Sequence, residues 1–267
     1  MSPALSNLLT MTTSHNGWPV ITSGLWPLPA VSGSVKAGPV WVVMNWLARE
    51  YARRVEPIER KQSWGYAHRQ IGGSTTWSNH ASGTALDFNA PKHPLKTRAE
   101  QNFTPTQIRA CEGILTDAGG VLRWLRGHDP MHWEIAPRVT RLHVDRLATR
   151  LLQAALGITV DGHRGPKTDA ALRAFQASRG ITVDGQDGPK TWAELNKPPA
   201  PQPTTQEDTM ALTDHDIDRI ADAVADAVWK RLITVPDGSQ VNAGTALAGA
   251  RNDLRIIRTE LGKPIQP

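Results

Sequence analysis

Cysteine is almost absent from this 267-residue chain, where Cys111 stands alone. That excludes a disulfide framework and any zinc site built on cysteines, so a metal would have to be held by histidines and carboxylates. Long hydrophobic runs are missing as well. No stretch of 18 apolar residues occurs, and a membrane-spanning helix is not expected. The opening residues, Met1-Ser-Pro-Ala-Leu-Ser-Asn7, lack the basic start and apolar core of a secretory signal, so no signal peptide is expected. Nucleic-acid-binding motifs are missing, and basic residues are not interleaved with aromatics. Nucleic acid is therefore not expected as a partner.

What is present can fold. Hydrophobic residues make up 39% of the chain and charged residues 21%. The 20 prolines and 22 glycines point to long loops and at least one linker. The net charge of +5 is unevenly spread: residues 1–140 carry +5, residues 141–196 carry +2 and residues 197–267 carry −2. A mildly basic front serves solubility or attracts a polyanion, such as an anionic cell wall.

Eight of the ten tryptophans lie before residue 140, which places the largest aromatic core there. Apolar residues at helical spacing predict a helix from Val40 to Tyr51. Thr104-Pro105 and Gly119-Gly120 bracket a second. Between them, residues 62–91 are rich in Ser, Gly, Asn and Thr and lead into a short strand at Ala85–Asn89. Residues 131–136 alternate like another strand. The first domain, 1–140, therefore reads as α+β.

An internal repeat follows. Gly157-Ile-Thr-Val-Asp-Gly-His-Arg-Gly-Pro-Lys-Thr168 returns 23 residues later as Gly180-Ile-Thr-Val-Asp-Gly-Gln-Asp-Gly-Pro-Lys-Thr191. Two copies are too few for a solenoid. Each Asp-Gly-x-x-Gly-Pro is a tight turn with proline suited to the first turn of a helix. Residues 142–196 thus read as a small all-α module. Residues 197–211 open with four prolines and read as an extended linker. Beyond it, residues 212–267 read as a tail of two amphipathic helices, 212–233 and 240–261. Each is too short to be stable alone, so self-association through the tail is expected.

The segment that carries chemistry is Ser78-Asn-His-Ala-Ser-Gly-Thr-Ala-Leu-Asp87. His80 and Asp87 are separated by small residues around Gly83, which argues for a turn running into a strand. Asp129-Pro-Met-His132-Trp-Glu134 follows about 45 residues later. His80, Asp87 and His132 can supply three ligands to zinc and leave a fourth position open. Asp129, three residues before His132, offers a carboxylate for general base work beside them.

These residues resemble the zinc peptidases of the D-alanyl-D-alanine carboxypeptidase and L-alanyl-D-glutamate endopeptidase family, to which many phage endolysins belong. The likeness rests on Ser78-x-His80-x-x-Gly83-x-Ala85-x-Asp87 and Asp129-x-x-His132-Trp133, and covers roughly residues 35–137. It implies an α+β zinc peptidase domain, a small antiparallel sheet with helices. It also implies Zn2+ on His80, Asp87 and His132, with Asp129 as catalytic base. Many carboxypeptidase members carry Glu at the base position, so Asp129 looks more like the endopeptidase branch. Arg69, in Gly65-Tyr-Ala-His-Arg-Gln70, matches a family arginine upstream of the first motif and would hold the developing oxyanion. Residues 142–196 resemble the short three-helix peptidoglycan-binding domain, through Leu152-Gln, Phe175-Gln and the two Asp-Gly-x-x-Gly-Pro-x-Thr turns.

Together the two likenesses imply a peptidoglycan-degrading enzyme of the endolysin kind. It would be held in the host cytoplasm until release and then act on the bacterial cell wall. An inactive wall-binding protein and a bacterial D,D-carboxypeptidase are the other readings. Asp161 and Asp184 read as turn formers, and Cys111 as a buried helix residue. Ser78 is either a hydrogen-bonding partner of a ligand or not. Glu134 is either a support for the site or an exposed strand residue.

Overall fold

The computed structural model describes residues 12–197. The readings on the tail 212–267 and on the linker beyond residue 197 lie outside the described residues.

The central column is helix α1, Pro39–Arg54. Proline at its first turn has no backbone N–H to waste there. Val40, Trp41, Val43, Met44, Leu47, Ala48 and Tyr51 are all buried, far more than one stripe of an amphipathic helix. Neighbours on several sides account for this. The hairpin of β1 (Leu25–Pro27) and β2 (Ser34–Lys36) covers one side, and α3 (Pro105–Asp117) and α4 (Arg141–Ala155) cover others. The basic residues of the α1 end do not form a free patch. Arg54 pairs with Glu50 at 2.6 Å and with Asp117 at 2.7 Å.

A three-stranded antiparallel sheet lies beside this column, in the order β3 (Ala85–Asp87), β5 (His132–Ile135), β4 (Leu122–Trp124). Its register sets Leu86 opposite Trp133 and Asp87 opposite His132. Two residues 45 apart in sequence thereby meet across one pair of strands. Trp133 anchors the sheet to the core. It stacks on Trp124 at 5.4 Å between ring centroids and meets Tyr51 edge-on at 6.1 Å. A single helical turn, α2 (Ala99–Asn102), precedes α3, whose start is closed by a reciprocal cap between Thr104 and Gln107. No helix among the described residues is long and apolar enough to cross a membrane.

The module that contains the repeat forms three helices, α4, α5 (Pro166–Ser178) and α6 (Pro189–Leu195). Each copy is organised by one buried glutamine. Gln153 donates to Asp161 Oδ1, His163 O and Thr168 Oγ1, and accepts from the backbone of Asp161 and Gly162. Gln176 repeats the pattern on Asp184, Gln186, Thr191 and Gly185. Asp161 and Asp184 each accept from the backbone N–H two residues on, at 2.8 Å. They are turn formers, as the sequence suggested. Replacing Gln176 with alanine strands buried polar groups in the second turn. We expect a loss of about 1–3 kcal/mol, measured by urea unfolding, for the hydrogen-bond partners left unpaired.

The module does not stand apart from the first domain. Val144, Leu147, Ala148 and Leu152 of α4, with Leu172 and Trp192, belong to the same continuous core as Trp41, Leu47 and Tyr51. Gly188 lies so close to the Trp26 ring that a Cβ there would sit 3.5 Å from it. Arg49 of α1 hydrogen-bonds Asn196 just beyond α6.

Candidate metal centre

The first motif folds as a tight turn that runs into a strand. Ser78 caps it, its Oγ accepting from the His80 N–H at 3.3 Å. Asn79–Ser82 make a 3-10 turn, and Gly83 ends it at φ +67. Glycine is required at this point on two counts. The left-handed backbone disfavours other residues, and a Cβ would meet the Lys36 backbone nitrogen at 2.6 Å. The chain then reverses into β3 and sets Asp87 below His80.

The register of β3 on β5 adds His132. His80 Nε2 lies 3.2 Å from Asp87 Oδ2, His132 Nδ1 lies 2.9 Å from Asp87 Oδ1, and the two nitrogens are 3.2 Å apart. All three side chains are buried. One donor atom from each lies within 4.8 Å of the others, the ligand set expected from the sequence. Zinc–ligand bonds of about 2.0–2.1 Å in a tetrahedron place neighbouring donors about 3.3 Å apart, so the spacing suits that ion.

The outer ring nitrogens show which atoms are free to bind. His80 Nδ1 meets the Gly65 carbonyl at 2.6 Å. His132 Nε2 meets Glu134 Oε2 at 3.0 Å. A carbonyl and a carboxylate only accept, so both outer nitrogens carry hydrogen. The inner nitrogens, His80 Nε2 and His132 Nδ1, are left with lone pairs that converge with a carboxylate. The residues present therefore fit a zinc ion.

Charge is balanced to match. Burial alone would raise Asp87, but the charges of His80 and His132 and their hydrogen bonds outweigh it and hold the carboxyl well below its ordinary range. Burial would lower His132, but hydrogen bonds to Asp87 and Glu134 outweigh it and raise the imidazole to about 9. A proton and a cation thus compete for Nδ1, and metal affinity should fall as pH falls.

Asp129 sits half-buried in the turn leading to β5, and its backbone carbonyl accepts from the His132 N–H at 2.9 Å. Its Oδ1 is buried and has no hydrogen-bond partner. Burial pushes its carboxyl above the ordinary aspartate range, and the nearby Asp87 charge adds to the rise against the opposing His132.

Arg69 has an exposed side chain. Its backbone carbonyl accepts from the Ser78 N–H at 3.1 Å, so the loop that carries it runs beside the start of the His80 turn. His68 and His128 are exposed, and the His68 ring lies tilted against Trp77 with ring centroids 4.7 Å apart. His93 belongs to the fold instead. It is buried, stacks on Phe103 and contacts Glu56 at 2.7 Å.

Glu134 resolves the open choice. It is 0% exposed, and besides His132 it contacts Asn79 and Arg123. Strand alternation gave no sign of this, because β5 is the central strand and all four of its residues are buried.

Compared with known families, residues 143–195 match the one described as "Putative peptidoglycan binding domain". This span is the three-helix module, so the chain carries a peptidoglycan-binding domain and peptidoglycan is its indicated partner. Comparisons with curated proteins and with solved structures found no match.

Proposed function

We propose that the chain is a zinc endopeptidase that cleaves peptidoglycan stem peptides or their cross-links, held to its substrate by residues 143–195. The observation that carries the reading is the convergence of His80 Nε2, His132 Nδ1 and the Asp87 carboxylate beside a buried, unpartnered Asp129 oxygen.

A zinc ion on His80, Asp87 and His132 would supply Lewis acid chemistry, polarising the scissile carbonyl and acidifying water. Asp129 takes the proton from the attacking water at its carboxylate and returns it to the leaving amine. Its raised pKa suits both duties, since a stronger base accepts more readily and its acid form still donates. The Gly65 carbonyl and Glu134 keep the two histidines in place through their outer nitrogens. Arg69, on the loop beside the His80 turn, is proposed to stabilise the oxyanion.

The resemblance leaves L-alanyl–D-glutamate and D-alanyl–diaminopimelate bonds as the two candidate targets. In this reading the protein is an endolysin, kept in the host cytoplasm until it reaches the wall. The packing of α4 on α1 makes the module a rigid extension of the catalytic part, so wall binding would orient the site as well as raise its local concentration. The test is turbidity of purified walls. Loss of turbidity that a chelator stops and added zinc restores supports the proposal. Binding without turbidity loss, with zinc present, leaves only a wall-binding protein.

A further inference from the structure

We infer that Asn79 and Glu134 are positioning residues that fix which nitrogen of His132 carries hydrogen, with the N-terminal turn at Asn16 anchoring them; the inference rests on the zinc reading above. The argument follows the direction of each hydrogen bond. The backbone N–H of Asn16 can only donate, and it meets Asn79 Oδ1 at 2.8 Å. That fixes the amide, with its oxygen toward Asn16 and its Nδ2 toward Glu134. Nδ2 can only donate, so Glu134 Oε2 accepts from it. The same oxygen lies 3.0 Å from His132 Nε2. The other oxygen accepts from Arg123 Nε at 2.6 Å. Every group aimed at Glu134 is therefore an N–H donor. The carboxylate has only acceptance to offer His132, so Nε2 is the protonated nitrogen and Nδ1 is the ligand.

The Asn16 side chain closes the network. Its Nδ2 donates to Thr84 Oγ1 at 2.9 Å and to the Ile135 carbonyl at 3.0 Å. Ser14 Oγ, in the same turn, donates to Ser82 at 2.9 Å. Thr84 and Ser82 lie in the segment that carries His80 and Asp87, and Ile135 ends the strand that carries His132. The turn thus clasps both ligand-bearing segments. Asn16, Asn79 and Glu134 are all buried, where an unmatched donor or acceptor is costly, so the polarity of one bond dictates the next.

The experiment uses the full chain as wild type, Asn79→Asp and Glu134→Gln. Asn79→Asp replaces the donor facing Glu134 with an oxygen. Glu134→Gln keeps the shape but places an amide hydrogen pair where only acceptors stood. Zinc affinity is read by competition with a chromogenic chelator. Cadmium-113 substitution with 15N-labelled histidine shows which ring nitrogen binds metal. Sedimentation with peptidoglycan through residues 143–195 and thermal unfolding report that the variants fold. We expect wild type to couple cadmium to His132 Nδ1. Each variant should bind zinc about 10–100-fold more weakly while still sedimenting with walls. Coupling of wild-type cadmium to His132 Nε2 overturns the inference without any variant. So do folded variants whose zinc affinity matches wild type. A wild-type chain that takes up neither metal overturns the zinc reading itself, a result distinct from both.

Discussion

Replacing His80 with alanine is expected to lower bound zinc from one per chain to well below it and to remove wall hydrolysis with it. His80 contributes one of three donors, and its Nε2 lies 3.2 Å from both Asp87 and His132. The two remaining donors cannot complete a three-ligand site. The scaffold should survive, since the turn is held mainly by Ser78, Gly83 and backbone bonds, the imidazole adding one bond to the Gly65 carbonyl. Elemental analysis of dialysed protein gives the stoichiometry. Full zinc retention in the folded variant would take His80 out of the ligand set.

The second large effect is expected from Asp129→Asn. Zinc should remain, because Asp129 is outside the converging donor set. Turnover should fall by about 10²-fold or more, the usual scale for losing a general acid–base group. The pH profile gives a sharper sign. Burial raises Asp129 above the ordinary aspartate range, so its base form is lost as pH falls through that raised value. Wild-type kcat/KM should therefore show an acid limb displaced upward. Residual activity of Asp129→Asn should lack that limb. Near-normal turnover by this variant would move the base elsewhere.

The ligand set was legible because local turns encode it. The turn at Gly83 and the strand at Ala85–Asp87 follow from adjacent residues, and the short Asp129–His132 motif supplied the third donor. The repeat was legible for a similar reason, since both copies keep the glutamine, the aspartate and the threonine that build the turn. Glu134 was not, because its partners come from distant places. Asn79 is 55 residues away and Arg123 lies on a neighbouring strand. Three-residue strands such as β1, β2 and β4 carry too little alternation to be read. The sequence placed α4 in an all-α module, but helix-forming residues do not say which neighbour covers the helix. That α1 covers it, joining the module to the core of the first domain, emerged from the packing.

The central claim is that this chain hydrolyses an amide bond in peptidoglycan with a metal held by His80, Asp87 and His132. Mass spectrometry of fragments released from purified peptidoglycan by the zinc-loaded chain tests it most directly. The account predicts freed stem-peptide or cross-link fragments with new amino termini, intact glycan strands, and no such products from Asp129→Asn. New reducing sugar ends, or wall that stays whole while the zinc-loaded chain is bound to it, would contradict it.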